Sequence, residues 1–193
     1  MKICVFGAAS NKIDEKYITD CKALAKTLGL RGHDLVFGAG GEGLMGAAAE
    51  GFKENGAKVH GVIPQFFLDN GYEAVFKDCD ELTLTATMAE RKAIMEDEAE
   101  AFIITPGGIG TFEEFFEVLT LKQLGRHKKA IAVYNSFGYY TDLEKYLDKI
   151  IAEGYVNEEC KMLYKVFDSQ AEVVDYIENY TADGINWNLL KRN

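Results

Sequence analysis

The hydrophobic positions of this chain follow two different periods. Short apolar runs, typical of buried parallel strands, are separated by longer segments in which apolar residues recur every three or four positions, as on one face of a helix. The short runs predict strands at 2–7, 34–37, 58–63, 81–85, 101–104, 129–134 and 164–167. The longer segments predict helices at 13–30, 44–55, 87–98, 143–151 and 170–180, a further helix after Gly110, and a loop or short helix at 65–72.

This alternation of strands and helices predicts the fold class. Parallel neighbours in a sheet need crossover segments, which are usually helices. We therefore expect a Rossmann-like, doubly wound α/β domain with a mainly parallel sheet and helices on both faces. The chain has 193 residues, which suits a single domain over 1–193. Ligands bind such sheets beyond the carboxyl ends of the strands, so the turns after Phe6, Phe37, Ile63 and Ile104 should share one rim.

Charge and composition narrow the class of partner. The net charge of −10 disfavours nucleic acids and anionic membranes as partners, although a single bound nucleotide remains compatible with it. No apolar stretch reaches the roughly 20 residues that a membrane-spanning helix needs, and the first residues suit a strand better than a signal peptide. The four cysteines and three histidines are scattered, without metal-ligand or disulfide spacing. We expect a cytoplasmic protein with free thiols, no metal and no cofactor.

The stretch around residues 101–121 carries the clearest chemical signal. An apolar run, Ala101–Ile104, ends at Pro106 and leads through a glycine turn directly into a helix pattern. Such a turn offers free backbone N–H groups and the positive end of a helix dipole to an anion, most often a phosphate. It lacks the Gly-Lys-Ser/Thr ending of a P-loop. We expect phosphate binding, with a tight structural turn as the alternative, at Gly107, Gly108, Ile109, Gly110 and Thr111.

A second glycine turn, Gly38–Gly43, formally matches GxGxxG between a strand and a helix. A dinucleotide fold carries this fingerprint in its first βα unit with an acidic residue about 20 positions on. Here the turn lies in the second unit, and the region near Pro64 offers no carboxylate. A turn that lines another ligand, with Gly40 and Gly41 as nucleotide-binding candidates, is the favoured interpretation. NAD binding and plain packing remain the alternatives.

Two charged side chains are candidates for catalysis. Glu114 ends the sequence Thr111-Phe112-Glu113-Glu114, which also has the form of a capping box. A carboxylate folded back onto the helix start cannot also face a substrate, so the two roles are partly exclusive. Arg91 lies among apolar positions near the start of the helix that precedes the central strand. The ordinary alternative is a solvated helix with i,i+4 pairs such as Lys92 with Glu96.

Together these motifs resemble a known family. Met88-Ala89-Glu90-Arg91-Lys92, followed by Pro106-Gly107-Gly108-Ile109-Gly110-Thr111-Phe112-Glu113-Glu114, is similar to the paired signature of the LOG family. Its members are cytokinin riboside 5′-monophosphate phosphoribohydrolases, and many of them are labelled as lysine decarboxylases. The resemblance extends from Lys2 to about Tyr134. It departs in the first turn, where only Ser10 matches, and at Ala39, where the family usually has glycine.

The resemblance implies a Rossmann-like fold, usually a homodimer, that cleaves the N-glycosidic bond of an adenosine 5′-monophosphate. The substrate would be AMP or N6-modified AMP, and the products would be the free base and ribose 5-phosphate. By motif position, Arg91 and Glu114 would be catalytic and Gly108, Gly110 and Thr111 would hold the phosphate. Further nucleotide-binding candidates are Ser10, Met88 and Lys92. The rival hypotheses are a non-catalytic nucleotide-binding sensor or carrier on the same fold, and an NAD-dependent oxidoreductase.

Overall fold

The computed structural model describes residues 1–71 and 74–190, which form a seven-stranded sheet in the order β4-β3-β2-β1-β5-β6-β7. Every pair of neighbouring strands is parallel. The predicted Rossmann-like α/β fold class is therefore confirmed. The strands are β1 Lys2–Phe6, β2 Asp34–Phe37, β3 Val59–Pro64, β4 Glu81–Thr85, β5 Ala101–Ile104, β6 Ala130–Tyr134 and β7 Lys165–Phe167.

The helices agree with the hydrophobic periods to within a few residues, and short 3₁₀ turns lie at Ser136–Gly138 and Glu158–Met162. The segment predicted as a loop or short helix forms α3 up to Asn70, while Tyr72 lies outside the described residues. The end of the chain, 191–193, also lies outside them. The helices are α1 Glu15–Leu30, α2 Gly43–Lys53, α3 Gln65–Asn70, α4 Met88–Glu98, α5 Ile109–Gln123, α6 Thr141–Ala152, α7 Gln170–Asn179 and α8 Trp187–Leu190.

The core has two layers because successive side chains of a strand point to opposite faces of the sheet. On β1, Ile3 and Val5 face a cluster that α1, α2 and α7 cover. Cys4 and Phe6 face a second cluster that α4, α5 and α6 cover. The sheet is therefore buried on both sides, as the near-continuous apolar strands indicate.

The strand order reverses at β1, which has β2 on one side and β5 on the other. The chain leaves β1 toward one face and β5 toward the other, so a crevice opens between their carboxyl ends. Two backbone hydrogen bonds hold these ends together, from Thr105 N to Phe6 O at 2.8 Å and from Ala8 N to Pro106 O at 3.1 Å. This crevice is the expected place for a ligand.

Three further features concern metal binding, membrane crossing and the state of the cysteines. Within residues 1–71 and 74–190, no cluster of histidine, cysteine, aspartate and glutamate has the makeup of a metal site. None of the helices in this part of the chain combines the length and the apolar content that crossing a bilayer requires. The four cysteines are free thiols.

Candidate active site

A cavity of about 790 Å³ lies at the crevice between β1 and β5. Its walls come from the loop after β1, the starts of α4 and α5, part of α3 and the loop after β6. The predicted site residues among its walls are Ser10, Met88, Arg91, Gly107, Gly108, Gly110, Thr111 and Glu114. The structure therefore brings residues from three separate motifs to one space.

Four of the predicted residues, Gly40, Gly41, Lys92 and Ile109, are not among those that line this cavity. The Ile109 side chain is 90 % exposed and points into solvent, so only its backbone belongs to the turn. The ammonium group of Lys92 forms ion pairs with Glu113 and Glu117 on α5. Lys92 thus joins α4 to α5. Burial raises the pKa of Glu96, the expected i,i+4 partner, and a longer-range charge interaction with Lys92 partly lowers it, but among the described residues the ion pairs of Lys92 are with α5.

The start of α5 differs from the sequence-based expectation. The helix begins at Ile109 with Gly108 as its N-cap, and no side chain caps it. Thr111 is therefore the third helical residue, and the predicted capping box from Thr111 to Glu114 is wrong. The Thr111 side chain packs on Gly107 instead, where an added Cβ would lie 2.1 Å from Thr111 Oγ1.

The first backbone N–H groups of α5 lack acceptors from the protein. Within the described part of the chain, no oxygen accepts a hydrogen bond from the amides of Ile109, Gly110 or Thr111, and the first helical bond runs from Phe112 N to Gly108 O at 3.0 Å. Added Cβ atoms on Gly108 and Gly110 would meet nothing within 4 Å. The cavity therefore meets a helix N-terminus whose donors and surroundings are open.

The start of α4, unlike that of α5, is capped by a side chain. Thr87 is its N-cap, and Thr87 Oγ1 accepts a hydrogen bond from Glu90 N at 3.1 Å. The Glu90 carboxylate accepts one from Ala86 N, the amide just before the N-cap, at 2.8 Å. Thr87 thus satisfies one of the first donors of α4, and Glu90 holds the chain that enters the helix.

The start of α2 is filled by the loop after β1. Gly43 N donates to Asn11 Oδ1 at 2.7 Å, and the amides of Leu44 and Met45 both donate to Ala8 O, at 2.8 and 3.3 Å. A dinucleotide would need these amides for its pyrophosphate. The geometry of α2 therefore contradicts the NAD interpretation of the Gly38–Gly43 turn.

The Gly38–Gly43 turn serves close packing. The Arg91 guanidinium lies against Gly38, because its Nη2 donates to Gly38 O at 3.2 Å and an added Cβ there would lie 1.6 Å from Nη2. Gly41 donates to Ala74 O at 2.6 Å, and Gly40 forms a bridge with Val75. Glycine is thus required at Gly38 so that an arginine can approach the backbone.

Arg91 is buried at the cavity wall with part of its hydrogen-bonding capacity unused. It is 5 % exposed, and its guanidinium lies over the ring of Phe67, 5.8 Å from the ring centroid. Its Nε–H is buried and has no acceptor among the described residues. Since an unpaired buried donor costs about 1–3 kcal/mol, an oxygen of a ligand would be strongly favoured at this position.

Glu114 faces the same cavity from the second turn of α5 and is 9 % exposed. The charges of both catalytic candidates affect the pKa of the Cys4 thiol, which is buried in β1. Burial raises the pKa of Cys4 well above its ordinary value, the Glu114 carboxylate raises that pKa further, and the Arg91 guanidinium lowers it. A carboxylate and a guanidinium from different helices therefore both lie close enough to β1 to act on the same thiol.

Several residues that line the cavity were not predicted from the sequence to be part of the site. Tyr139 follows β6, Tyr17 lies on α1 and Phe67 lies on α3, and all three contribute rings to the lining. Glu42 and Met45 add to it from the second glycine turn and α2. The pattern around each of these residues is that of an ordinary loop or helix, so no local signal marks them as functional.

Comparison with known proteins gives a family and a set of relatives. The family model described as possible lysine decarboxylase matches residues 45–177. A probable cytokinin riboside 5′-monophosphate phosphoribohydrolase of Oryza sativa subsp. japonica is 35 % identical over 192 residues, which cover 96 % of this chain and 90 % of the relative. A cytokinin riboside 5′-monophosphate phosphoribohydrolase of Arabidopsis thaliana is 36 % identical over 93 % of this chain and 83 % of the relative.

Solved structures share the fold at lower identity. The molybdenum cofactor carrier protein of Chlamydomonas reinhardtii superposes with a TM-score of 0.69 at 21 % identity, over 92 % of this chain and 95 % of that one. A molybdenum cofactor binding protein of Rippkaea orientalis gives 0.68 at 17 % identity, over 92 % and 94 %. At these identities the likeness extends to the fold alone.

Proposed function

The chain belongs to the family described as possible lysine decarboxylase, and on that premise we propose that it hydrolyses the N-glycosidic bond of a nucleoside 5′-monophosphate. The substrate would be AMP or an N6-substituted AMP, and the products would be the free base and ribose 5-phosphate. One observation carries the proposal. A single cavity joins the uncapped start of α5 to two buried and oppositely charged side chains, Arg91 and Glu114.

The phosphate would bind at the start of α5. The amides of Ile109, Gly110 and Thr111 are donors without a protein acceptor in the described chain, and the helix dipole adds a partial positive charge there. Ser10 lines the same cavity. Binding the phosphate holds the ribose in place and supplies binding energy away from the reacting bond.

Glu114 would act on the sugar carbon C1′. Cleavage of an N-glycosidic bond builds positive charge at this carbon, as in glycoside hydrolysis. A carboxylate close to it stabilises that charge or activates the attacking water. Glu114 lies on the same helix as the phosphate donors, one turn after Thr111, so the helix itself sets the distance between anchor and carboxylate.

Arg91 would orient the reacting groups. Its buried Nε–H is a donor without an acceptor in the described chain, which suits a ribose hydroxyl oxygen or the carboxylate of Glu114. Its positive charge also keeps a nearby carboxylate ionised. Met88 lies one turn before Arg91 and adds an apolar wall for the nucleotide.

The word decarboxylase in the family description is not supported by the residues that line this cavity. A pyridoxal phosphate enzyme binds its cofactor through a lysine, and the described lining of this cavity contains no lysine. Lys92, the nearest in sequence to Arg91, is held by two carboxylates of α5.

The test is release of free base. The protein is incubated with AMP, with an N6-substituted AMP and with adenosine, and the base is quantified by chromatography. We expect both monophosphates to be hydrolysed far faster than adenosine, and Glu114→Gln to abolish turnover while nucleotide binding is retained. Glu113→Gln is the matched control, because this neighbour pairs with Lys92.

Two outcomes would contradict the proposal. Equal turnover of AMP and adenosine would remove the role of the phosphate anchor. Nucleotide binding without any release of base would instead favour the non-catalytic sensor or carrier.

A further inference from the structure

The backbone carbonyl groups of the glycine turn after β5 are held by donors from other parts of the chain. The Tyr140 hydroxyl donates to Thr105 O at 2.7 Å. The backbone of Ala8 donates to Pro106 O at 3.1 Å. The Tyr139 hydroxyl donates to Gly107 O at 2.7 Å. Three consecutive carbonyl oxygens therefore each have a partner, whereas the amides that follow them have none in the described chain.

This arrangement matters for an anion, because carbonyl oxygens carry partial negative charge and repel phosphate oxygens. Sites for anions therefore turn N–H groups inward and carbonyl groups outward. In a trans peptide the carbonyl and the following N–H point in opposite directions. A hydrogen bond that fixes the carbonyl of Gly107 consequently fixes the direction of the Gly108 N–H as well.

We propose that Tyr139 is a positioning residue that keeps the Gly107 carbonyl turned away from the phosphate and so makes the cavity selective for a 5′-monophosphate. This inference rests on the function proposed above. Tyr139 suits the role because it is itself part of the cavity wall, next to Gly107 and Gly108. Tyr140, which is fully buried, holds the preceding carbonyl of Thr105 from inside the core.

The loop that carries the two tyrosines is anchored on both sides. Asn135 Oδ1 accepts a hydrogen bond from Tyr140 N at 2.5 Å, and Asn135 Nδ2 donates to Asp168 at 2.8 Å. The Ser136 hydroxyl is bonded to Asp20 on α1. Asn135 and Ser136 are buried, and these bonds hold the loop in place, while Tyr139 is 42 % exposed and is joined to the turn by its own hydrogen bond to Gly107 O.

The experiment removes one oxygen atom. Tyr139→Phe keeps the ring in the wall and deletes the donor to Gly107 O. We expect the Kd for ribose 5-phosphate, measured by calorimetry, and the KM for AMP to rise roughly 3- to 10-fold, the range for loss of one ordinary hydrogen bond. The kcat for AMP and the kcat/KM for adenosine should stay within about twofold, since neither involves the phosphate contact.

Tyr17→Phe is the matched control. Tyr17 lines the same cavity, and its ring meets that of Tyr139 edge to face at 5.8 Å. Its hydroxyl is not bonded to the glycine turn among the described hydrogen bonds. This variant should leave the affinity for ribose 5-phosphate unchanged, so a difference between the two variants reports the carbonyl contact rather than a general disturbance of the wall.

The result can overturn the inference independently of the proposed reaction. Equal affinity of the Tyr139→Phe and Tyr17→Phe variants for ribose 5-phosphate, or an equal loss of kcat/KM with AMP and adenosine, would contradict it. Failure of the wild-type protein to bind ribose 5-phosphate at all would contradict it as well. Failure to release base from AMP, with ribose 5-phosphate still bound, would instead refute the hydrolase and leave the binding comparison decisive for Tyr139.

Discussion

Helices α4 and α5 both begin at the cavity, but a side chain caps the N-terminus of α4 and none caps that of α5. On α4, the Thr87 side chain caps the helix by accepting a hydrogen bond from Glu90 N, and the Glu90 side chain holds the preceding amide of Ala86. On α5, Gly108 offers no side chain, and the donors face the cavity. Glycine as N-cap lowers stability by only a few tenths of a kcal/mol relative to the best caps. An open helix start therefore costs the protein little stability.

The start of α2 shows why a free helix end, rather than any helix end, makes a site. Its glycine-rich approach is more pronounced than that of α5, yet Asn11 and the carbonyl of Ala8 already occupy its donors. Three helix starts therefore lie around one rim. The chain fills the start of α2, the Thr87 side chain caps that of α4, and none of the first three amides of α5 has an acceptor in the described chain. This contrast supports the proposed binding of the phosphate at α5. We therefore expect substitutions at the start of α5 to weaken nucleotide binding more than substitutions at the start of α4.

Gly108→Asp would give α5 the kind of cap that α4 has. An aspartate at this N-cap accepts hydrogen bonds from the first amides and places a negative charge where the phosphate would lie. We expect affinity for AMP to fall by roughly 100-fold or more, since juxtaposed like charges cost several kcal/mol. Thermal or urea unfolding should show unchanged or slightly higher stability.

Gly108→Asn separates capping from charge in the same position. The amide competes for the same donors without the repulsion, so its loss of affinity should be smaller than that of Gly108→Asp. Undiminished AMP binding by both variants, measured by calorimetry, would contradict the assignment of the phosphate to this helix.

Gly110→Ala narrows the open start of α5 without adding a polar group. An added Cβ meets nothing in the protein, and alanine is favoured over glycine in a helix by about 1 kcal/mol. We expect stability to rise by roughly 0.5–1 kcal/mol and affinity for AMP to fall by roughly tenfold, because the methyl group occupies space next to the phosphate. A variant that is more stable and binds AMP normally would place the ligand elsewhere.

Thr87→Ala is the reciprocal experiment on α4. Loss of the Thr87 side chain removes a cap that the helix uses, so we expect a loss of about 1 kcal/mol in the free energy of unfolding. AMP affinity and turnover should remain within about twofold, because the phosphate is proposed to bind at the start of α5. A loss of AMP affinity without a loss of stability would remove the distinction between the two helices.

The C-terminal end of α5 contains a buried lysine, Lys122, that has no role in the proposed function. Lys122 is fully buried, its Nζ has no hydrogen-bond partner among the described groups, and the ring of Tyr180 lies 4.6 Å away. Burial lowers the pKa of Lys122 from 10.5 to about 7. We expect Lys122→Met to leave AMP binding unchanged and to raise stability at pH 7 by roughly 2–4 kcal/mol.

The difference in stability between the wild type and Lys122→Met should depend on pH. Between about pH 7 and 10.5 the unfolded lysine binds a proton that the folded one does not, so wild-type stability should rise with pH in this window. The advantage of Lys122→Met should therefore be largest at or below about pH 7 and shrink toward pH 10. Urea titrations of both proteins at several pH values measure it, and a constant difference would contradict the lowered pKa.

The elements of the fold, and the glycine turn proposed to bind the phosphate, could be predicted from local sequence patterns. Hydrophobic periodicity depends on which side of a strand or helix is buried, so each strand and each longer helix could be predicted locally. The strand, glycine turn and helix from Ala101 onward are also local. The resemblance to the LOG family added Arg91 and Glu114, which the cavity brings together.

Local pattern did not determine which helix start is capped. Thr87–Glu90 and Thr111–Glu114 have the same Ser/Thr-x-x-Glu form, but a threonine caps a helix only when it lies at the boundary. The Gly108 backbone sets that boundary three residues before Thr111. The ion pairs of Lys92 likewise depend on another helix, because α5 places Glu113 and Glu117 beside it, whereas the i,i+4 alternative, Glu96, interacts with it only at longer range.

The contacts between distant segments depend on the order of the strands in the sheet and could not be predicted from local patterns. Arg91 lies on Gly38, 53 residues away in sequence, and Tyr139 on Gly107, 32 residues away. These pairs meet because the strand order brings the carboxyl ends of β1, β2, β5 and β6 to one rim. Strand order is a property of the whole sheet, whereas periodicity and turn motifs reflect only neighbours along the chain.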